Sequence, residues 1–390
     1  MRTLIEKYRI KLEETSISYI RSIHNIIEWD DKLIAIIGAR GVGKSTLILQ
    51  HIKLHDNIDE TLYVSADDIW FSDHSLYELA ETFYKNGGKK LYVDEIHKYP
   101  NWSQEIKNIY DSFSQLNIVY TGSSILELQK GNADLSRRLL QYYMHGLSFR
   151  EYIGLKYNIE IPIHTLDQVL ENKIEFPYDQ YRPIPLFKEY VQKGYYPYFN
   201  LSGYSMRLSQ VINRVIETDI PVATGISIST VAKLKKLMYI IAQSVPFKPN
   251  YTKISRDIDT GRNTVSDLMI WLEKADLINI LRDDTKGISA LGKVDKIYLN
   301  NPNIAYAISD NVPDIGNVRE TIFLAMLKAT HNIIASKESD FKVGKHTFEV
   351  GGKNKKHRQI QNIPDSYIVK DDIEYGYQNE IPLWAFGLLY

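Results

Sequence analysis

The feature that most constrains this chain is a glycine-rich loop between a short apolar run and an amphipathic stretch. Residues 38–45 read Gly-Ala-Arg-Gly-Val-Gly-Lys-Ser, which fits the spacing Gly-x-x-x-x-Gly-Lys-Ser/Thr. The run Leu33–Ile37 before the loop is entirely aliphatic. After the loop, Leu47, Ile48 and Ile52 fall on one helical face. A strand, a loop and a helix therefore follow one another in the order that a phosphate-binding loop requires.

Each position of this phosphate loop, residues 38–45, has a chemical reason. Glycines let the backbone curl so that its N–H groups point at phosphate oxygens. We expect Lys44 to reach the β- and γ-phosphates and the hydroxyl of Ser45 to ligate Mg²⁺. The predicted ligands are therefore ATP and Mg²⁺. The residues assigned to nucleotide binding here are Gly38, Ala39, Arg40, Gly41, Val42, Gly43, Lys44, Ser45 and Thr46.

A second motif supplies the acids that a phosphate loop needs. Leu91-Tyr92-Val93 is an apolar run that ends in Asp94 and Glu95. We expect Asp94 to hold Mg²⁺, usually through water, and Glu95 to orient or activate the attacking water. Taken alone, the pair would be read as a solvated acidic turn after a strand. Together with the upstream loop, it predicts a site that hydrolyses the nucleotide.

Polar residues also follow a further apolar run, at 118–120. Thr121 and Ser123 are both candidates to contact the γ-phosphate or the water, and the sequence does not choose between them. Ser123 is equally well explained as the cap of a following helix.

Two arginines form another candidate element. An arginine delivered to the γ-phosphate stabilises the charge of the transition state, and if it comes from a neighbouring subunit, activity requires assembly. Arg137 and Arg138 precede an apolar stretch that ends at Leu147. A catalytic arginine and a pair of surface arginines both fit this position.

The alternation of elements indicates the fold class of the first 150 residues. Short runs that are apolar on both faces lie at 33–37, 62–64, 91–93 and 118–120. Stretches of helical periodicity separate these runs. Strands of this composition suit a parallel sheet that helices cover on both sides. We therefore predict a doubly wound α/β domain.

These motifs carry a family likeness. The segments 38–46, 91–95 and 119–124, with the stretch from Arg138 to Tyr152, resemble the AAA-type predicted ATPases of bacteria and archaea. The likeness covers most of the chain and is strongest over 30–155. It implies a P-loop NTPase domain, a winged helix and a small α+β domain that resembles a degenerate PD-(D/E)XK nuclease. By its distance to Leu147, Arg138 matches the family's arginine better than Arg137 does.

The composition changes after Glu151 and suggests further domains. Residues 156–200 contain five prolines and no clean period, which favours a linker or lid. A compact helical pattern follows, and short strands with glycine-rich turns come after it. The predicted division is an ATPase domain, a linker or lid region, a winged helix-turn-helix domain and a nuclease-like domain, at 1–155, 156–224, 225–300 and 301–390.

The third of these domains is predicted from two helices joined by a turn at 260–263. Strands at 275–280 and 296–299 would form the wing. The residues expected to point outward from the second helix are Arg262, Asn263, Thr264, Ser266, Asp267 and Glu273. This set is hardly basic, so packing or protein contact is favoured over DNA. A DNA contact here remains an alternative.

The nuclease-like end offers candidate residues with doubtful spacing. A metal-dependent nuclease would need an acid on a helix, an aspartate, and a glutamate and a lysine on one strand. The candidates are Glu320, Asp340, Glu349 and Lys353. Four residues separate the last two, and two glycines between them invite a bulge. Two interpretations fit the basic run 353–358: a contact with a nucleic-acid backbone and a solvated hairpin tip. We expect the apolar segment 381–390 to pack against the body or a partner.

Bulk composition narrows the class of protein. The formal net charge is -1, so any nucleic-acid surface must be a local patch. Cysteine is absent, which excludes disulfides, thiolate metal sites and a cysteine nucleophile. No apolar stretch reaches the ~18 residues of a membrane helix, and the N-terminus lacks the apolar core of a signal peptide. We therefore expect a cytoplasmic protein without membrane insertion.

The sequence thus predicts Mg²⁺-dependent ATP binding and hydrolysis that drives a conformational change in the C-terminal domains. Glu95, Lys44 and Arg138 are the expected catalytic residues, and Ser45 and Asp94 are the expected metal ligands. The expected assembly is a homo-oligomer, with a protein client or DNA as a further partner. Two alternatives stay open: a nucleotide-switched binding module with negligible hydrolysis, and a metal-dependent nuclease.

Overall fold

The computed structural model describes residues 1–122, 135–244, 246–283, 294–309, 311–356 and 360–390. The chain divides into two compact units, Met1–His145 and Gly146–Tyr390. Among the described residues, the first unit contains one sheet and the second contains two, and each unit has its own buried core.

The first unit is built on a parallel five-stranded sheet. Its strands are β1 Leu33–Ile37, β2 Thr61–Ser65, β3 Lys90–Asp94, β4 Asn117–Gly122 and β5 Leu140–Tyr143, in the order β2-β3-β4-β1-β5. The α-helices described in this unit are α1 Arg2–Glu14, α2 Lys44–His55, α3 Leu76–Lys85 and α4 Trp102–Ser112. Short 3₁₀ helices lie at Ser22–Ile26, Ile58–Glu60, Ile69–Ser72 and Ile96–Lys98.

The predicted strands of this unit are confirmed, and their burial explains why. Every residue of β1 is buried, as are most residues of β2, β3 and β4, which is typical of parallel strands whose apolar runs face the interior on both sides. The sequence did not indicate β5. Its residues Leu140-Gln141-Tyr142-Tyr143 are exposed or half-buried at the edge of the sheet, so they carry no continuous apolar signal.

The strand order places the predicted site residues at one edge. β4 lies between β1 and β3 and pairs with both in parallel, with Ile36 opposite Thr121 and Val93 opposite Tyr120. The carboxyl ends of these three strands therefore meet. The phosphate loop follows β1, Asp94 ends β3, and Thr121 lies near the end of β4.

The second unit contains helices, a two-stranded sheet and a mixed five-stranded sheet. Its described α-helices are α5 Phe149–Tyr157, α6 Leu166–Leu170, α7 Pro183–Lys193, α8 Tyr204–Arg214, α9 Ile220–Thr224, α10 Ile228–Ser244, α11 Tyr251–Asp257, α12 Arg262–Lys274, α13 Pro302–Ile308 and α14 Ile315–Lys328. A π-helical turn, Val215–Asp219, joins α8 to α9. The strands are β6 Ile278–Arg282, β7 Val294–Leu299, β8 Ile334–Ala335, β9 Phe341–Val343, β10 His346–Gly351, β11 Ser366–Lys370 and β12 Glu380–Pro382.

The start of the second unit lies before the predicted domain boundary at 155. α5 begins at Phe149 because Ser148 and Glu151 form a reciprocal capping box, in which each side chain accepts the other's backbone N–H. Phe149, Tyr152 and Ile153 are fully buried in the core of the second unit. The helix therefore belongs with the C-terminal part of the chain.

The proline-rich segment predicted as a linker or lid also forms part of this core. Val169, Leu170, Phe187 and Tyr190 are buried together with residues of α14 and the second sheet. Prolines are compatible with this packing because Pro183 opens α7, where a missing N–H costs no helical hydrogen bond. The segment lacks a clean helical period because short turns interrupt its buried positions.

The C-terminal end packs as expected from its composition. The 3₁₀ helix Leu383–Leu388 is buried throughout, and Phe386 contacts Phe323 of α14 with ring centroids 4.9 Å apart. α14 lies against β10, so helix, sheet and C-terminal segment share one core.

The region predicted as a winged helix shows two helices followed by an antiparallel strand pair. α11 and α12 are joined by a short turn, and β6 pairs with β7 so that Ile278 lies opposite Leu299. The predicted wing tip between these strands lies mostly outside the described residues. Assignment of this region to the winged-helix class stays a prediction.

Candidate functional site

The phosphate loop adopts the backbone geometry that its glycines permit. Gly38, Gly41 and Gly43 have φ of 155°, 85° and 102°, values that side chains with a Cβ rarely adopt. A Cβ on Gly38 would lie 2.2 Å from the carbonyl oxygen of Met144. α2 begins at Lys44 immediately after the loop, so its first N–H groups face the loop side. The loop therefore forms as the sequence predicts.

Lys44 is buried against its own loop. Its ammonium group donates hydrogen bonds of 2.8 Å to the carbonyl oxygens of both Gly38 and Ala39. Only 5% of the residue is exposed. These two carbonyls hold the ammonium against the first residues of the loop.

Asp94 is the centre of a hydrogen-bond network at the edge of the sheet. One carboxylate oxygen accepts a 2.6 Å bond from the hydroxyl of Tyr63, and the other accepts a bond from the hydroxyl of Thr121. Asp94 is 5% exposed and Thr121 is fully buried. Two donors thus fix the orientation of a buried carboxylate next to the phosphate loop.

Tyr63 connects Asp94 to the loop and was not identified from the sequence. Its hydroxyl donates to Asp94, and the side chain of Ser45 lies close enough to lower the pKa of Tyr63, so Tyr63 lies near both residues predicted to ligate Mg²⁺. Burial and the nearby charge of Asp94 raise the pKa of Tyr63 well above its usual range, so the hydroxyl stays protonated. A tyrosine inside an apolar strand gave no sign of this role, because the role depends on β2 lying beside β3.

Glu95 lies at the end of β3 in a left-handed backbone conformation with φ of 53°. Non-glycine residues adopt this conformation rarely, and it is enriched at functional sites. The Glu95 N–H donates a 3.1 Å bond to the hydroxyl of Thr121. Its carboxylate lies 3.9 Å from the guanidinium of Arg40 and 3.5 Å from Nε2 of His97. The structure therefore brings Glu95 to the loop through Arg40.

Thr121 has a clear position, whereas Ser123 lies outside the described residues. The Thr121 hydroxyl donates to Asp94 and accepts from the Glu95 N–H, so it orients both predicted acids. Direct contact of Thr121 with nucleotide, as expected from the sequence, stays a prediction.

Arg21 is a further residue at the loop that the sequence did not indicate. Its guanidinium donates to the carbonyl oxygen of Val42 at 3.2 Å and to that of His145 at 3.1 Å. The side chain is nearly buried. Arg21 thereby ties the phosphate loop to the end of the first unit.

Comparison with protein families agrees with this geometry. A family model described as an AAA domain matches residues 30–153. The match spans the phosphate loop, the acids at the end of β3 and the strand that carries Thr121. Residues 30–153 are a P-loop domain of the AAA family. A second model, described as a domain of unknown function (DUF8612), matches residues 184–314.

Similar proteins extend over more of the chain than the AAA domain. The uncharacterized protein MJ1637 of Methanocaldococcus jannaschii is 28% identical over 277 residues, which cover 66% of this chain and 58% of that protein. The uncharacterized protein MJ1544 of the same organism is 31% identical over 145 residues, covering 35% of this chain and 32% of that protein. The chain thus spans less than two thirds of the length of either relative.

Among solved structures, the Walker-type ATPase PABY2304 of Pyrococcus abyssi is similar with a TM-score of 0.43 and 14% sequence identity. The match covers 77% of this chain and 94% of that one.

Arg138 lies away from the phosphate loop of its own AAA domain. It forms an ion pair with Asp111 at 3.1 Å and lies over the ring of Tyr110. The carbonyl of Tyr110 accepts a bond from Lys32, which immediately precedes β1. Arg138 therefore lies near the amino end of the strands, whereas the phosphate loop follows the carboxyl end of β1. In this arrangement Arg138 serves no γ-phosphate in its own loop.

The acids of the predicted nuclease site come together, but lysines are their partners. Lys296 of β7 lies 3.2 Å from Glu320 and 3.4 Å from Asp340. Glu349 pairs with Lys355 at 2.5 Å and accepts a 2.6 Å bond from Ser339. Burial and the charge of Glu320 raise the pKa of Asp340. Lys355, and not the predicted Lys353, is thus the lysine at Glu349; Lys353 is exposed.

The structure describes only some residues of the two surfaces predicted as possible nucleic-acid contacts. Arg262, Asn263 and Asp267 are exposed on α12, and Glu273 is paired with Arg282 at 2.6 Å. His357 and Arg358 of the basic run lie outside the described residues. DNA binding at either place stays a prediction. Among the helices that the structure describes, none has the length and apolar character needed to cross a membrane.

Proposed function

We propose that the AAA domain binds ATP together with Mg²⁺ and hydrolyses the nucleotide. The observation that carries this proposal is the network around Asp94. Tyr63 and Thr121 donate to this buried carboxylate, and Ser45 of the phosphate loop lies close enough to Tyr63 to lower its pKa. Such a network is unnecessary for a loop that serves only as a structural turn.

The residues present fit a magnesium ion. Ser45 supplies a hydroxyl oxygen and Asp94 supplies carboxylate oxygens, which are the hard oxygen donors that Mg²⁺ prefers. A bound Mg²⁺ would neutralise charge on the β- and γ-phosphates. In this proposal Ser45 and Asp94 hold the ion, and Tyr63 and Thr121 orient Asp94.

The other side chains act on the phosphates and on water. Lys44 exchanges the carbonyl oxygens of Gly38 and Ala39 for β- and γ-phosphate oxygens. Glu95 orients a water molecule and accepts its proton as the water oxygen bonds to the γ-phosphorus. The bond from that phosphorus to the β,γ-bridging oxygen breaks, and ADP and phosphate leave. Glu95 must first move from Arg40 and His97, which hold it in this structure.

We further propose that turnover changes the conformation of the second unit. The phosphate loop is linked to the end of the first unit through Arg21, which donates to both Val42 and His145. The main chain adds a second link, since the Met144 N–H donates to Ile37 at 2.7 Å. Rearrangement of the loop around nucleotide would therefore be transmitted to the residues that lead into Gly146.

The position of Arg138 supports assembly into a homo-oligomer. Arg138 lies near the opposite edge of the sheet from its own loop, so a catalytic role requires a second copy of the chain. In the proposed oligomer, Arg138 of one copy contacts the γ-phosphate in the loop of another.

ATP turnover by the full chain tests the proposal. We expect Mg²⁺-dependent release of phosphate that falls at least ~100-fold in Lys44→Ala and on chelation of the metal. Lys85→Ala is a matched control, because Lys85 is exposed on α3 and its ion pair with Glu81, at 2.8 Å, is an exposed one that contributes little stability. Tight ATP binding without turnover would instead favour a nucleotide-switched binding module. Wild-type turnover in Lys44→Ala would refute the assignment of the site.

A further inference from the structure

Three histidines of the first unit form a cluster outside the nucleotide site. His51 and His55 lie one helical turn apart at the end of α2, and His24 lies in the 3₁₀ helix Ser22–Ile26. One ring nitrogen from each lies within 4.8 Å of the others. His24 and His51 are buried, and His55 is exposed to solvent. The proposed ATPase chemistry uses none of them.

The spacing of the inner nitrogens suits a metal ion. Nε2 of His24 lies 3.1 Å from Nδ1 of His51, and the two form a hydrogen bond when one of them carries the hydrogen. Two nitrogens bound to a tetrahedral zinc ion at ~2.0–2.1 Å lie about 3.3 Å from each other. The buried pair therefore already has nearly the separation of two ligands of one ion, and His55 offers a third nitrogen from the solvent side.

The outer nitrogens of the two buried rings face oxygen acceptors. Nδ1 of His24 lies 3.5 Å from the side-chain oxygen of Asn25. Nε2 of His51 is buried and has no hydrogen-bond partner among the described residues, and a carboxylate oxygen of Asp56 lies 3.7 Å from it. Histidines that bind metals usually direct their second N–H at a carboxylate or carbonyl oxygen. If both outer nitrogens carry the hydrogen, the lone pairs of the two inner nitrogens face each other. A cation between these lone pairs converts their repulsion into attraction.

The surroundings keep the rings neutral and fixed. Burial lowers the pKa of His51 to about 3, helped by the charge of Lys90, and burial also lowers the pKa of His24. Neutral imidazole is the form that binds metals. Trp29 stacks on His51 with centroids 3.8 Å apart and planes at 10°, and its indole N–H donates to the carbonyl of His24 at 2.9 Å. The ligands are thus held in place before an ion arrives.

We propose that His24, His51 and His55 bind one divalent transition-metal ion of the zinc type, with water completing the coordination. Imidazole nitrogens favour zinc, nickel or copper over the magnesium expected at Ser45 and Asp94. The ion would join the 3₁₀ helix Ser22–Ile26 to α2. Arg21, the residue before that helix, donates a hydrogen bond to Val42 of the phosphate loop. The ion would therefore also restrict the motion of a residue that contacts the loop.

Metal titration of the full, metal-stripped chain tests this site. We expect one Zn²⁺ per chain by calorimetry in the presence of excess Mg²⁺, and visible absorption bands of tetrahedral Co²⁺ on cobalt addition. His55→Ala, at an exposed position, should weaken Zn²⁺ affinity at least ~10-fold without changing the circular dichroism spectrum. His24→Gln should do the same and provides a second variant should either one fold poorly.

His74→Ala is the matched control, because His74 is also exposed and stacks on a tryptophan, Trp70, at 4.0 Å. Its Zn²⁺ affinity should equal that of the wild type. Failure of the wild-type chain to bind one Zn²⁺ or Co²⁺ would overturn the proposal and leave the cluster as aromatic packing. Unchanged affinity in both His55→Ala and His24→Gln would overturn it as well.

Discussion

At the residue scale, the site depends on a few hydroxyl groups that orient acids. Thr121 contacts Asp94 and the Glu95 N–H at the same time, and it is fully buried. Buried groups that lose a hydrogen-bond partner carry the full cost of leaving water. The hydroxyl of Thr121 should therefore matter for both stability and turnover.

Thr121→Val tests this role with little change of shape. The variant leaves the Glu95 N–H without its acceptor and Asp94 without one donor, which should cost ~1–3 kcal/mol of the free energy of unfolding. We also expect kcat for ATP to fall at least tenfold, because both acids lose orientation. Thr121→Ser keeps the hydroxyl. It should therefore retain most of the free energy of unfolding, measured with urea, and most of the kcat, measured in turnover assays. A Thr121→Val enzyme with the kcat of the wild type would rule out the orienting role.

Spacing in the sequence predicted where the candidate residues that follow apolar strands would lie. The phosphate loop, Asp94 and Glu95 follow from spacing alone, since each lies directly after an apolar strand. Tyr63 and Arg21 could not be predicted, because their contacts with Asp94 and Val42 arise from strand order and loop folding. A tyrosine in a strand and an arginine before a short helix both read as ordinary packing or surface residues.

At the element scale, the connection from β1 to α2 depends on a glycine position where there is no room for a side chain. Gly38 has a φ of 155°, and a Cβ there would meet the backbone oxygen of Met144 at 2.2 Å. Gly87 also has a positive φ, 89°, but a Cβ added there would meet no atom within 4 Å. A substitution at Gly87 therefore tests backbone strain alone. A substitution at Gly38 tests backbone strain together with a clash against Met144.

Gly38→Ala should destabilise the first unit more than Gly87→Ala does. We expect Gly87→Ala to cost about 1–2 kcal/mol from its left-handed conformation. Gly38→Ala should cost more and should abolish ATP binding, because the carbonyl of Met144 cannot move without disturbing β5. Urea unfolding and nucleotide binding measure the two effects. Equal losses of stability in the two variants would contradict the proposed clash.

A histidine before α6 should make the second unit sensitive to acid. Nδ1 of buried His164 donates to the carbonyl of Pro162, and Nε2 accepts a 2.8 Å bond from the Glu175 N–H. Burial lowers the pKa of His164; the charge of Arg150 acts in the same direction and that of Glu175 opposes it. The pKa of His164 in the folded chain lies below its unfolded value near 6.5. The neutral form of His164 therefore contributes its full stability to the fold above pH 6.5, and this contribution is lost as the pH falls from 6.5 through the folded pKa.

Urea unfolding at several pH values between 7.5 and 5 would measure the effect. The wild-type free energy of unfolding should decline with acidification, and His164→Gln, which cannot gain a proton, should show a smaller decline. If wild type and variant decline in parallel, His164 is not a source of the acid sensitivity.

The positions of β1 to β4 in the first unit were predictable because each contains a continuous apolar run, whereas β5, at the exposed edge of the sheet, has none. The second unit was harder to predict for physical reasons. Its core draws on α5, the segment around α6 and α7, α14 and the last residues of the chain. Short elements with interrupted periods bury apolar residues there, so the sequence pattern of residues 156–224 resembled a linker.

At the scale of the whole molecule, the proposed activity requires more than one copy of the chain. Arg138 is paired with Asp111 near the amino ends of the strands, whereas the phosphate loop follows a carboxyl end. Loss of a partly exposed ion pair of this kind costs little stability, ~0–1 kcal/mol. Substitution of Arg138 should thus leave the fold intact and reveal any catalytic role.

Mixing two inactive variants tests action between copies. Arg138→Ala and Lys44→Ala should each turn over ATP at least tenfold more slowly than the wild type. A mixture should regain measurable activity, because the first supplies an intact loop and the second supplies an intact arginine. Arg137→Ala, at the exposed neighbouring position, is the control and should stay active. A mixture no more active than its components, or a particle that stays monomeric with ATP, would argue against the shared site.

The central claim is that Glu95, at the end of β3, activates water in a site built on the phosphate loop. The most direct measurement compares ATP affinity and single-turnover hydrolysis in the wild type and Glu95→Gln. We predict nearly unchanged affinity and hydrolysis at least ~100-fold slower in the variant. Asp67→Asn, an exposed acid after the neighbouring strand β2, should match the wild type in both. Hydrolysis by Glu95→Gln at the wild-type rate would contradict the account.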